Sequence, residues 1–462
     1  MTGKKIRPLY LGASRPLDGR GVAPALMPPH HLVTHGVVVG MTGSGKTGLL
    51  MVMVEEALRS RVPVLMIDVK GDLPNLLLNF PLHSASALEP WVEPHPHEER
   101  SVAELSAALA EERRTGLDAW KISEADLSAF VEGTAVRVLT PGSEAGEPLH
   151  VLSSLEMRSS RWDSDPDAAR ATLSAAVSLL LRLVGRDPDP ARSREHVLLC
   201  VLAERRLLAG EPSDLGSLIA DLAKPPIEQI GALKVNEFLS LKDRKELSAA
   251  LNTLLASPTF ASWREGAALD PAAWFEPKDG RTPAVIVSVA HLDDDERTLV
   301  LGVLLEEILT WVRSLPGSSH LRALVVFDEV YGFLPPHPAN PPTKRPIIAL
   351  MKQARAFGVG VVVATQNPMD LDYRALSNAG FWCIGRLQTD ADRARVLDGL
   401  AQSSAAGESA GELAELTKRL KPRWFLTRDV HSSNGTTLLQ PRWTMSFMKG
   451  PMTGQEIRRA RS

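Results

Sequence analysis

Five short runs of apolar residues punctuate this chain: Gly36 to Val39, Val62 to Ile67, Ala284 to Val289, Leu324 to Phe327 and Val359 to Ala364. Uninterrupted runs of this length fit strands buried on both faces of a parallel sheet, where strict alternation is not required. Between the first two lies a helical pattern opening Gly48-Leu49-Leu50-Met51, so the pair reads as a βαβ unit. Later helices are predicted from about Asp294 to Arg313 and from Ile347 to Gly358, the glycine serving as terminator. From about residue 95 the texture changes to amphipathic helical stretches: Val102 to Arg114, Asp167 to Arg186, Arg192 to Leu208 and Lys242 to Ser257. Asp/Pro-rich turns such as Asp187-Pro188-Asp189-Pro190 break them, and one strand candidate, Ala135 to Leu139, interrupts them. The expectation is an α/β fold with a mainly parallel sheet flanked by helices. Its segments would be a short N-terminal piece (1–35), a core (36–95 and 280–440), a mainly helical insertion (96–279) and a C-terminal closing segment (441–462).

The polar residues that end these runs carry the chemistry. Gly40-Met41-Thr42-Gly43-Ser44-Gly45-Lys46-Thr47 sits between a predicted strand and a predicted helix, the context a phosphate-binding loop needs. Gly40, Gly43 and Gly45 let backbone N–H groups turn inward around phosphate oxygens with Thr42 and Ser44 between them, and the helix N-terminus adds positive potential. Lys46 would reach the β- and γ-phosphates of ATP, and Thr47 would hold Mg²⁺. The second run ends in Asp68-Val69-Lys70-Gly71-Asp72. Asp68 either points toward the phosphates, as strand ends in open α/β sheets do, or caps the next helix, a role that Asp72 before Leu73-Pro74 suits well. The fourth run ends in Asp328-Glu329. Two carboxylates at the end of a buried strand are costly unless a cation and a water use them. Asp328 would hold Mg²⁺ through its water shell, and Glu329 would orient and deprotonate an attacking water. Gln366, after the fifth run, can sense a γ-phosphate through its amide or simply belong to a turn with Asn367-Pro368.

Composition narrows the class. Cys200 and Cys383 are too few and too far apart for a disulfide framework or zinc site, which leaves them as core thiols. No run of about eighteen apolar residues suggests a membrane span, and the start of the chain lacks a signal peptide's apolar stretch, so a cytoplasmic location is expected. A net charge of −3 argues against a uniformly basic nucleic-acid-coating surface, but not against a ring gripping DNA through a few pore residues. Basic clusters at Lys4-Lys5-Ile6-Arg7, Lys344-Arg345 and Arg458-Arg459-Ala460-Arg461 read as solvated patches.

The ordered set Gly40 to Thr47, Ile67 to Asp72, Phe327-Asp328-Glu329, Gln353-Ala354-Arg355-Ala356-Phe357-Gly358 and Ala364 to Pro368 resembles the HerA/FtsK superfamily of ring-forming DNA-pumping ATPases, and within it the HerA branch. The resemblance implies a RecA-like P-loop NTPase core. It implies ATP and Mg²⁺ as cofactors, with Lys46 and Thr47 on the phosphates and metal and the acidic pair at Asp328 and Glu329. It places an arginine finger acting across a subunit boundary on Arg355, the strand-end glutamine on Gln366, a second carboxylate near the nucleotide on Asp68, and a phosphate or interface residue on Arg386. It further implies a homo-hexameric ring, double-stranded DNA as cargo, and a nuclease or other effector partner in DNA end processing or phage defence. The alternative is an ATP-dependent scaffold or switch that controls a partner without moving DNA. HerA proteins carry a domain-sized β-barrel before the loop; the stretch ahead of Gly40 is expected to hold no full barrel. The end of the chain is expected either to pack on a neighbouring ATPase or to begin a further domain.

Overall fold

The computed structural model describes residues 7–461 except 18, 20, 82, 94–98, 367, 369, 370, 373, 374, 376, 388, 395–409 and 434. Lys4, Lys5 and Asn367 therefore lie outside the described residues. The strands run β1 (Leu9–Pro16), β2 (Ala23–Met27), β3 (Gly36–Val39), β4 (Val64–Asp68), β5 (Thr134–Pro141), β6 (Glu147–His150), β7 (Gln229–Ile230), β8 (Leu233–Lys234) and β9 (Ala267–Ala268). They continue with β10 (Thr282–Ser288), β11 (Ser318–Asp328), β12 (Phe357–Thr365), β13 (Phe381–Ile384), β14 (Phe425–Asp429) and β15 (Thr436–Pro441). One 13-stranded sheet takes all but the β7–β8 hairpin, in the order β2-β1-β15-β14-β13-β3-β12-β11-β4-β10-β5-β6-β9. From β13 to β9 neighbours are parallel. From β13 outward to β2 they are antiparallel.

The apolar runs explain the layering. Val37 and Val39, Leu65 and Ile67 point into one core, while Val38, Val64 and Met66 point into the other. Both faces are covered, as a parallel sheet requires. The first core is closed by the helices Pro166–Leu183, Arg194–Ala209, Leu241–Leu255, Asp294–Ser314 and Lys344–Gln353. The second is closed by α1 (Lys46–Arg59), by the helices Val102–Ala119 and Glu124–Gly133, and by the end of the chain.

The described residues of the expected insertion, from 99 to 279, are mainly helical, but they do not stand apart from the sheet. β5 pairs in parallel with β10 over Thr134 to Leu139, and β6 and β9 extend the sheet beyond it. The helical stretch Ile347 to Gly358 also divides differently from the sequence expectation. The α-helix stops at Gln353, a 3₁₀ turn spans Ala354–Ala356, and Gly358 already lies in β12 with φ of 74°. A Cβ there would meet the His320 carbonyl oxygen at 2.3 Å, so the glycine serves strand pairing and not helix termination. Lys344, expected on a solvated patch, is buried and ion-pairs with Asp372 at 3.2 Å, whereas Arg345 is exposed. Arg459 lies 5.6 Å above the Trp91 ring and donates to the Pro90 carbonyl, which makes it part of the packing of the terminal helix Gly454–Arg461. Cys383 is buried and Cys200 half-buried; both are free thiols, and burial pushes Cys200 up to about 12.

The closing segment packs on α1 and β1 of its own chain. Arg442, fully buried, pairs with Glu55 at 2.8 Å and Glu56 at 2.9 Å, two equally buried carboxylates of α1. Glu55 also accepts from the Met445 and Ser446 N–H groups and the Ser446 hydroxyl. Glu56 accepts from Arg59 and from the Tyr10 N–H of β1. Burial works against the charge on Glu56, but Arg442 and Arg59 outweigh it and hold its carboxyl below the ordinary value. Its contribution is therefore complete above the unfolded-state range and is lost as pH falls through the lower folded value. Arg442→Ala leaves two buried carboxylates short of a partner and is expected to lower unfolding free energy by about 3–5 kcal/mol, measured by urea denaturation. A loss no larger than that of a surface substitution would mean that the charges are not buried as described.

Candidate functional site

All parallel strands present their C-terminal ends at one edge, and the candidate residues gather there. β3 runs directly into the glycine loop. The loop is pinned from both neighbours: the Gly40 N–H donates to Thr365 at the end of β12 (3.2 Å), and the Met41 N–H donates to the Arg386 carbonyl after β13 (2.9 Å). Gly43 and Gly45 have φ of 76° and 95°, a backbone that L-residues with a Cβ adopt only under strain. Gly45 is the N-cap of α1, so the turn opens onto a helix N-terminus. Lys46 is buried, and its ammonium donates to the carbonyls of Gly40 and Met41 across the loop mouth. Burial brings it down to about 8; Lys70 adds to that, while Glu329 and Asp328 oppose it. Thr47 is half-buried in the first turn of α1.

β11 and β4 are in register at Asp328 and Asp68, which sets two buried carboxylates side by side. Asp68 is fully buried and spent on structure: its Oδ1 accepts from the Gly71 N–H at 2.9 Å and from the Leu73 N–H at 3.5 Å, and its Oδ2 from the Ser288 hydroxyl at 2.7 Å. The capping role assigned to Asp72 thus falls to Asp68; Asp72 occupies the N-cap position of the 3₁₀ helix Leu73–Leu77 without a side-chain capping bond. Asp68 thus stands beside Asp328 as a second carboxylate, with its oxygens engaged by the turn and by Ser288. Asp328 differs. It is 2% exposed, and its Oδ2 has no hydrogen-bond partner. Burial pushes its carboxyl up to about 7; Lys70 opposes this, and Asp68, Asp72 and Glu329 add to it. A buried carboxylate oxygen without a donor beside a phosphate loop fits a cation's water shell. Among the described residues no group of three or more His, Cys, Asp or Glu could hold a metal by itself. Mg²⁺ suits such a place, since it is commonly bound by one or two protein oxygens together with phosphates and water; Thr47 and Asp328 are the residues that would hold it.

Glu329 leaves the strand at φ of 67°, a left-handed conformation for a residue with a Cβ. This turns its carboxylate back toward the edge, where Oε1 accepts from the Gln366 N–H and the Thr365 hydroxyl, both at 3.2 Å. Oε2 pairs with Lys70 at 2.6 Å. Burial would raise its pKa, but Lys70, the Gln366 N–H and the charge of Lys46 outweigh that and hold the carboxyl below its usual range, so it stays ionised. Gln366 in turn accepts from the Thr42 hydroxyl through Oε1 at 2.5 Å, which joins strand end and loop.

Lys70 is a residue the sequence reading quoted within a motif without giving it a role; only long-range pairing reveals its partner. Arg423 was missed altogether. It has φ of 62°, its N–H donates to the Ser44 carbonyl at 2.9 Å, and it packs against Gly45. Arg386 reaches the site through its backbone carbonyl, and the residue is exposed. Arg355 is placed elsewhere. It is exposed on the turn before β12, and nine strand residues at about 3.3 Å each put it roughly 30 Å from the edge that holds Gln366. Its charge adds to the effect of burial that brings the His35 ring, at that opposite edge, down to about 4. Within one chain it cannot reach the loop.

Residues 14–142 match the sequence model of the family described as Helicase HerA, central domain. No curated protein matches the chain in sequence. Among solved structures, VirB4 of Thermoanaerobacter pseudethanolicus superposes with a TM-score of 0.54 at 14% identity, covering 95% of this chain and 97% of its own. The bacterial conjugative coupling protein TrwB does so with a TM-score of 0.53 at 13% identity, covering 98% and 92%. At these identities the likeness establishes the fold, a RecA-like P-loop core. No helix among the described residues is long and apolar enough to cross a membrane. Residues 14–142 thus carry the signature of the HerA central domain, within a chain whose fold is that of a RecA-like P-loop ATPase.

Proposed function

We propose that the chain is the ATP-hydrolysing subunit of a HerA-type hexameric ring motor that translocates or unwinds double-stranded DNA together with a nuclease or other effector, in end processing or phage defence.

 The observation that carries this reading is the division of the machinery between the two edges of the sheet. Lys46, Thr47, Asp328, Glu329 and Gln366 converge at one edge, and Arg355 stands exposed at the other. A neighbouring subunit stacked edge to edge would bring its Arg355 to this loop, and repeated heterologous contacts of that kind close into a ring.

The chain's own residues account for the steps. The loop N–H groups and Lys46 bind the triphosphate of ATP. Mg²⁺, held by Thr47 and Asp328, would supply charge neutralisation for the β- and γ-oxygens. Glu329, kept ionised by Lys70, takes the proton of the attacking water. Gln366, bonded to Thr42, relates the state of the phosphate end to β12, and the incoming Arg355 neutralises charge as the phosphoryl group departs. Coupling to DNA follows if each hydrolysis event releases one subunit's grip on its neighbour.

Glu329→Gln is expected to keep ATP affinity while hydrolysis falls by about 100-fold or more, measured by phosphate release; undiminished turnover removes the base role. Arg355→Ala is expected to bind ATP without turning it over. When doped into wild-type rings it should depress activity more steeply than its mole fraction; a strictly proportional loss contradicts action across the seam. Double-stranded DNA is expected to stimulate the wild-type ATPase. Indifference to DNA combined with dependence on a protein partner would favour the scaffold or switch reading instead.

A further inference from the structure

The edge of the sheet opposite the phosphate loop carries a cluster of imidazoles that the steps above leave unused. His30 and His31 belong to the 3₁₀ helix Pro29–Thr34, and His431 follows β14. Asp429 at the end of β14 lies opposite Phe381, and Phe381 opposite Gly36, so the cluster stands where the parallel strands begin. Arg355 is at the same edge, on the turn against which Pro29–Thr34 packs. His31 is the centre of the group. Its ring centroid is 4.7 Å from that of His30 and 4.8 Å from that of His431, and its Nδ1 is 2.6 Å from Asp429 Oδ2.

The two outer rings each keep a basic nitrogen open. The Thr34 hydroxyl donates its one hydrogen to the His31 carbonyl at 2.7 Å, so toward His431 Nε2, at 3.2 Å, it can only accept. The proton of neutral His431 therefore sits on Nε2, and Nδ1 retains its lone pair with no partner among the described residues. His30 is exposed, and its ring makes no hydrogen bond among the described residues. Arg355 likewise has neither ion pair nor hydrogen bond among the described residues.

The charges that act on the outer rings are mostly of one sign. His30 faces His31 and the exposed His320 of β11, and His431 faces His31, His30 and Arg355; Asp429 is the acid among them. Burial first, and then these like charges, hold both rings below the ordinary histidine value, which leaves them mostly neutral at neutral pH. An unpaired guanidinium beside two open imidazole nitrogens is a surface made for an anion. The phosphate-loop edge has that character, with Asp72, Glu329 and, once loaded, a triphosphate.

We propose that His30 and His431, positioned by His31, Asp429 and Thr34, form a proton-accepting patch that meets the nucleotide-loaded edge of a second copy of this chain together with Arg355. The proposal deepens the ring reading and rests on it. Negative charge brought against a neutral imidazole raises its affinity for a proton, so each seam takes up protons as it forms. Association is then strongest below the value of the free ring and is lost as pH rises through the higher value of the assembled one.

The test is sedimentation velocity of the full chain carrying Glu329→Gln, with saturating ATP and Mg²⁺, between about pH 8 and pH 6. Association is expected to tighten by about tenfold per pH unit for each proton taken up. Adding His30→Gln and His431→Gln together is expected to remove that dependence, while titrations at the phosphate loop remain common to both proteins. His431→Lys, charged throughout the range, should keep association tight at the alkaline end. The same pH dependence in the doubly substituted chain, or a dependence that persists with nucleotide withheld, overturns the patch and leaves the ring in place. A chain that stays monomeric with ATP at every pH overturns the ring reading, and the patch with it.

Discussion

The arrangement rests on a buried knot of charge. Glu55 and Glu56 lie on the inward side of α1 at no solvent exposure, where ionised carboxylates are tolerated only with near-complete hydrogen bonding and opposite charge. Arg442 answers both, Arg59 shares one, and the backbone N–H groups of Tyr10, Met445 and Ser446 and the Ser446 hydroxyl also donate to them. The knot therefore joins the first strand, the helix that follows the phosphate loop and the last part of the chain. Buried ion pairs contribute little net stability compared with apolar packing, but they tolerate only one geometry. Here that geometry fixes the direction of α1, and with it the orientation of the N–H groups at the helix start.

Around that fixed helix, the parallel strands bring together residues far apart in sequence. Asp328 and Asp68 are neighbours because β11 and β4 are in register, and Glu329 meets Lys70 because both follow those strands. The two adjacent carboxylates at the end of β11 end up in opposite electrostatic states. Asp328 is buried without a donor for one oxygen and is hard to ionise, whereas Glu329, turned outward by its left-handed backbone, is paired and held charged. One strand terminus thus presents a cation-seeking group and a proton acceptor within a single residue's spacing.

Much of this was legible before the structure because it is local. A glycine loop between an apolar run and a helix announces itself, and so does a buried strand closing on two acids. The parallel strands were readable from their unbroken apolar character. What escaped was everything that depends on pairing over long sequence separation. The strand at 134–141 looked like an interruption among helices, and nothing local shows that its partner is β10. Nothing local assigns a role to Lys70, or to Glu55 and Glu56, whose partner Arg442 lies nearly four hundred residues away. The capping assignment failed for a related reason. Asp72 has the right residue type at the right position, but Asp68, held in place by Ser288, accepts from the N–H groups of Gly71 and Leu73 that lead into the 3₁₀ helix.

The left-handed turn at Glu329 has a mechanical consequence. Its carboxylate ties the end of β11 to the turn after β4 through Lys70 and to the end of β12 through Thr365 and Gln366, and the contacts to Lys70 and Gln366 are only partly buried. The opposite flank of the loop is welded by burial. The two flanks of the loop are thus held by different means, exchangeable strand-end contacts around Glu329 on one side and the sealed ion pairs of α1 with the last segment on the other.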